Sequence, residues 1–149
     1  MEIIFSSRIG KDYKDNLEEL LFFNPQQIKI QSKLIEIIEK YGSPKILVED
    51  NFLHVIIEGL QDVQTLYAFA KESDTNYLVG VMIYLRINTE VILVLHLGVS
   101  ESFSNVGEHS NQMLVAKLLL RLKEIAKKIK GIESIEVLYG QGEIQKIKV

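Results

Sequence analysis

VILVLHLGVSESFSNVGEHSNQMLVAKLLLRLKEIAKKIKGIESIEVLY, residues 91–139, sets the architecture of this chain. Residues 91–99 are an unbroken apolar run of strand length, the signature of a strand covered on both faces. A polar loop with a single glycine, Gly107, follows. The spacing then predicts a long amphipathic helix beginning near Ser110 or Asn111. Its apolar face carries Leu114, Val115, Leu118, Leu119, Leu122, Ile125, Ala126 and Ile129. Lys127, Lys128 and Lys130 sit where the helix dipole favours positive charge, and Gly131 ends the helix. Residues 132–139 read as a second strand. A helical crossover of this length returns the chain parallel to the strand it left. Strand, polar loop and helix N-terminus together make a frame that holds phosphate groups.

Upstream, Glu2–Ser6 reads as a strand, and a helix is expected from about Asp12 to Phe22 with Tyr13, Leu17, Leu20 and Leu21 on one side. Asn24 as N-cap and Pro25 at the first helical position start a second helix that runs to about Tyr41, before Gly42 and Pro44. From Lys45 the period shortens. Strands at 46–48 and 52–59 flank a turn at Glu49-Asp50-Asn51. A second pair, 65–72 and 77–86, flanks a turn over Ser73–Asn76, and Asn88-Thr89 leads into residue 91. Short turns make these runs antiparallel neighbours. The tail, 141–149, alternates as an edge strand does, with Lys146 and Lys148 against Ile147 and Val149. The expectation is one domain over residues 1–149. Its class is α/β in the broad sense (α+β), a single mixed, mostly antiparallel twisted sheet flanked by helices.

The 149 residues suffice for one sizeable core. Hydrophobic content of 47% and charged content of 25% are ordinary for a globular chain. A formal net charge of -3 disfavours a general nucleic-acid binder. The absence of cysteine excludes disulfides, thiolate metal sites and cysteine nucleophiles. His54, His96 and His109 share no metal-ligand spacing, so no metal is expected. The N-terminus does not read as a signal peptide and no apolar run has the length of a membrane span, which makes the cytoplasm the expected location.

The order of strand, two helices, antiparallel meander, helix and parallel strand resembles the GNAT (N-acetyltransferase) superfamily. The likeness covers most of the chain as a pattern and is residue-specific from Leu95 to about Leu122. In that family the strand before the cofactor loop ends in an apolar-x-Val run, matched here by Leu97-Gly98-Val99. Phe103 sits where the family often has an aromatic residue. The pyrophosphate motif falls on Ser104, Asn105, Val106, Gly107, Glu108 and His109, of which Gly107 alone matches. Ser104 replaces an Arg or Gln, His109 a small residue, and Glu101 the usual proline. The resemblance implies acetyl-CoA, held by Leu97, Val99, Ser104, Asn105, Val106, Gly107, His109 and Ser110. Its pyrophosphate would lie on backbone amides at the helix N-terminus, and its carbonyl would be polarised by a backbone N–H near Val99. A full member continues with a further helix, often carrying a tyrosine that acts as general acid. Tyr139 lies nearest to that role, although it ends a strand. Glu90 and His96 are the local candidates for a base. The acceptor would be a small-molecule or protein amine.

Each candidate also has a structural role that explains it. His96 and His54 suit strand positions, Glu90 a strand end, and Glu49-Asp50-Asn51 a hairpin turn. Tyr67, Tyr77 and Tyr84 would either line a pocket or pack across strands. Three functional readings stay open on the residues: an acyl-CoA-dependent N-acetyltransferase, a non-catalytic GNAT-fold module for protein interaction or regulation, and a profilin-like or PAS-like sensor. The C-terminal strand also suits a homodimer formed by strand addition.

Overall fold

A strand that is apolar on both faces must be covered twice and paired on its edges, and residues Val91–Val99 meet both conditions. The computed structural model describes residues 2–22, 42–104, 107–137 and 145–149, with Asn111 described by its backbone only. In chain order the elements are β1 (Glu2–Ser6), α1 (Lys14–Phe22), β2 (Pro44–Glu49), β3 (Phe52–Ile57), β4 (Gln64–Glu72), β5 (Thr75–Arg86), β6 (Val91–Val99), α2 (Leu114–Lys127), β7 (Ser134–Val137) and β8 (Gln145–Lys148). The helix expected over about 24–41 lies outside the described residues, as does Tyr139.

Among the described residues, β1, β4, β5, β6, β7 and β8 form one mixed sheet in that spatial order. Every pair is antiparallel except β6 and β7, which run parallel with Val91 opposite Ser134 and Val94 opposite Val137. The chain between them passes through α2, so the long helix is the crossover. The fold is therefore α+β, with a six-stranded mixed sheet and helices on its faces.

One expectation about the sheet is corrected. β2 and β3 form a separate two-stranded ribbon and do not continue the meander. Asp50 and Asn51 both have positive φ (50° and 70°), which makes the two-residue turn that joins them. A tight turn dictates that its two strands pair, but not where the next strand goes. Residues 58–63 carry the chain off the ribbon, and β1 takes the place beside β4. The ribbon is anchored instead to the segment after β1: Leu53 N–H donates to Ile9 O at 2.9 Å and Lys11 N–H to Asn51 O at 2.9 Å. The turn between β4 and β5 is also tighter than expected, with Glu72 opposite Thr75 across Ser73-Asp74.

The sheet separates two cores. On one face, Leu114, Leu118, Leu122 and Ala126 of α2 pack on Ile92, Val94, Leu97 and Val99 of β6 and on Ile135 and Val137 of β7. Their spacing of four residues is the helical repeat. Gly80 of β5 lets α2 come close: a Cβ there would lie 3.2 Å from Leu118 Cδ1 and 3.3 Å from the Ala68 Cβ. On the other face, Leu17, Leu20 and Leu21 of α1 and Leu53, Val55 and Ile57 of β3 cover Tyr67, Val81, Ile83, Leu93 and Leu95. The three tyrosines share no pocket. Tyr67 is buried on the α1 face, Tyr84 packs against the α2 core and Tyr77 is 52% exposed.

Two bulges set the phase of the central strands. On β6, Ile83 faces His96 while Tyr84 faces Val94, so Leu95 is an extra residue. On β5, Ala68 faces Gly80 while Phe69 faces Leu78, so Val79 is extra. Extra residues of this kind bend a strand and increase its twist. Pairing of β6 with β7 covers Val91–Val94, up to the bulge. At the other end of the sheet, Glu90 O accepts from Glu133 N at 2.7 Å, and the Arg86 guanidinium donates to Thr89 O at 2.7 Å and Lys130 O at 3.1 Å. This clamp holds the start of β7 to the start of β6.

Candidate functional site

The expected phosphate-binding frame is the chain from the end of β6 to the first turn of α2. Ser100 N donates back to Val79 O at 2.8 Å, and a 3-10 turn over Glu101–Phe103 buries the Phe103 ring in the α2 core. A second 3-10 turn, Ser110–Gln112, precedes the helix. Met113 then takes a left-handed conformation (φ 51°), and regular helix begins at Leu114, later than the sequence pattern suggests. Asn105 and Val106 lie outside the described residues.

The loop residues that the resemblance assigns to the cofactor hold the loop itself. The Ser104 hydroxyl is buried and donates to Glu101 O at 2.7 Å. His109 N donates to Ser102 O at 2.6 Å, and the His109 ring lies 4.9 Å from that of Phe103 at an interplanar angle of 34°. Ser110 N donates to Gly107 O at 3.2 Å. Gly107 rests on the preceding turn so closely that a Cβ would lie 2.2 Å from Glu101 O and 2.5 Å from Ser102 O. Only a residue without a side chain fits there. Leu97 and Val99 are buried in the α2 core, and Glu108 is exposed.

The N-terminus of α2 has a different character. The first N–H groups of a helix have no acceptor within it. The N-cap residue, Met113, makes no side-chain cap, and the first turn holds no acidic residue. Lys117 lies one residue beyond Ala116, with its Nζ 3.0 Å from Gln112 Oε1. An ammonium near the positive end of a helix dipole is unfavourable unless an anion joins it. The amides of Leu114, Val115 and Ala116 and the Lys117 ammonium therefore make an electropositive corner beside the loop. Sequence reasoning missed Lys117 because the helix was expected to start earlier, which would have set this residue deeper inside it.

The candidate bases are not brought together with this corner. Glu90 is exposed at the opposite end of β6 from Val99, roughly 25–30 Å away at the rise of an extended strand. His96 is 7% exposed. The Leu95 bulge turns both Leu95 and His96 toward the α1 face, since Val94 and Leu97 flank them on the α2 face. There the imidazole is hydrogen-bonded to the backbone of Leu20 in the last turn of α1. Burial lowers its pKa from 6.5 to about 4, against a smaller upward pull from the Leu20 bond, so the ring is neutral at neutral pH. His54 is exposed on the ribbon, 3.9 Å from a Glu49 carboxylate oxygen. Among the described residues no three His, Asp or Glu side chains are grouped to hold a metal ion, and no helix is long and apolar enough to cross a membrane.

No protein-family model, curated protein or solved structure matches the chain.

Proposed function

We propose that the chain is a GNAT-like acyltransferase domain that takes acetyl-CoA and passes its acyl group to an amine. The observation that carries this reading is the acid-free N-terminus of α2, with no side-chain cap from Met113, standing at the loop that leaves β6 and supplemented by Lys117. Its donors suit a pyrophosphate: backbone amides of Leu114, Val115 and Ala116 aimed along the helix axis, plus one ammonium. Ser110 and the backbone around Gly107 would flank the phosphates, and the end of β6 near Leu97 and Val99 would align the acyl group. Bound acetyl-CoA supplies a thioester carbonyl open to attack by an amine. The chain's own part is to orient the two reactants. Neither Glu90 nor His96 reaches the corner, so as the C–N bond forms and the C–S bond breaks the amine proton passes to solvent and coenzyme A leaves as its thiol.

The engagement of Ser104, Gly107 and His109 within the loop favours a second reading, a non-catalytic GNAT-fold module that serves interaction or regulation. A thermal titration separates the two. Acetyl-CoA at a hundred times its dissociation constant should stabilise the fold by about 2.7 kcal/mol, and Lys117→Glu should abolish the shift. No shift at millimolar acetyl-CoA removes the enzyme. A shift without acyl transfer to any amine supports the module.

A further inference from the structure

A second place in the fold has the chemistry of a recognition site, on the opposite face of the sheet from the α2 N-terminus. β1 ends at Ser6, opposite Tyr67, whereas β4 begins at Gln64. The edge of β4 from Gln64 to Leu66 therefore has no strand beside it on the β1 side among the described residues. On β3, the edge away from β2 is met by Ile9 and Gly10 at Phe52 and Leu53 and, among the described residues, has no strand neighbour from His54 onward. These two open edges line one cavity of ≈ 270 Å³, together with Ser7, Arg8 and Phe52. Open strand edges present rows of backbone donors and acceptors at strand spacing and take up an extended peptide.

The cavity also holds a cation. The Arg8 guanidinium lies over the Phe52 ring, 4.5 Å from its centroid. Among the described residues it makes no ion pair. The Ser6 hydroxyl bonds both Arg8 N (3.1 Å) and Arg8 O (2.9 Å), which fixes the backbone that presents it. Stacking occupies the face of a guanidinium and leaves its in-plane N–H groups for a planar anion, and a carboxylate matches them two to two. The volume is just below the range of small-molecule pockets and suits the end of a chain more than its middle.

We infer that this cavity binds the C-terminus of an extended peptide, which adds to the open edge of β4 and sets its terminal carboxylate on Arg8. The site is independent of the acetyl-CoA proposal. The probe is a fluorescein-labelled pool of hexapeptides with free C-termini, titrated against the full chain by anisotropy, with bound sequences followed by amide chemical shifts. Binding should perturb Gln64–Leu66 and His54–Val55. Amidation of the peptide terminus should weaken it by about tenfold or more, as should Arg8→Gln, with Arg8→Lys between. Arg8→Gln should melt like the parent because Arg8 is exposed. Methylation of the peptide backbone nitrogens should also weaken binding, and this arm leaves the protein untouched. Lys117→Glu should have no effect. The inference is overturned if no peptide binds, if amidated and free termini bind alike, or if acetate or phosphate alone binds as well as the peptides.

Discussion

His96 sends its imidazole into the end of α1, and that placement sets how the fold responds to acid. Its folded pKa, about 4, is below the ordinary 6.5. As pH falls, the unfolded chain therefore takes up this proton first. The contribution is fully present above pH 6.5 and is lost progressively down to about pH 4. The loss should be on the order of 3 kcal/mol. Urea denaturation between pH 4 and 7 measures it, as the difference between the parent and His96→Gln, whose stability lacks this component. Carboxylates titrating near pH 4 affect both proteins and cancel. Of the site residues, Gly107 was legible as the one glycine of the loop, but its reason was not. The sequence suggested a backbone opened for phosphate, whereas the structure shows contact with Glu101 and Ser102. The His96 partner was likewise hidden, because Leu20 is distant in the chain and the meeting depends on one bulge.

Among the elements, those with strong local signals were legible to within a residue. β1 and β6 have the expected bounds, and the ribbon turn, expected over Glu49-Asp50-Asn51, narrows to Asp50-Asn51 because Glu49 still pairs in β2. The turn also offers a test. An L-residue in the left-handed region costs about 1–2 kcal/mol, least for Asn and Asp and most for branched side chains. Asp50→Val should destabilise the fold by about 1–2 kcal/mol, while Asn51→Gly should leave it equal or more stable. Both are read from chemical denaturation. What local signals did not carry was the assignment of the ribbon to a face of the sheet, because hydrophobic alternation records that a strand has a buried side without recording what buries it. The start of α2 was misjudged for a related reason. Ser110 and Asn111 are helix-start residue types, but they open a 3-10 turn and the left-handed Met113 separates it from the helix.

For the molecule as a whole, the sheet terminates at β1 and β8 among the described residues, and β8 bears on self-association. Lys146 and Lys148 share one face, while Ile147 and Val149 pack toward the α2 core. An antiparallel match of β8 with a second copy either sets lysine opposite lysine or turns a lysine onto the side of Ile147. Like charges directly opposite are destabilising. The expected C-terminal-strand dimer is thus opposed by its own side chains. Sedimentation should find a monomer, and the double variant Lys146→Thr, Lys148→Thr should shift the population toward dimer. The bulge at Leu95 has an outcome of another kind. Were that codon excised, His96 would inherit the α1-facing slot while Leu97 and Val99 kept theirs, so the α2 core would be spared and the α1 core would lose one leucine. The kink in β6 is thus a trait that one in-frame indel could add or erase while the α2-facing side of the strand keeps its phase.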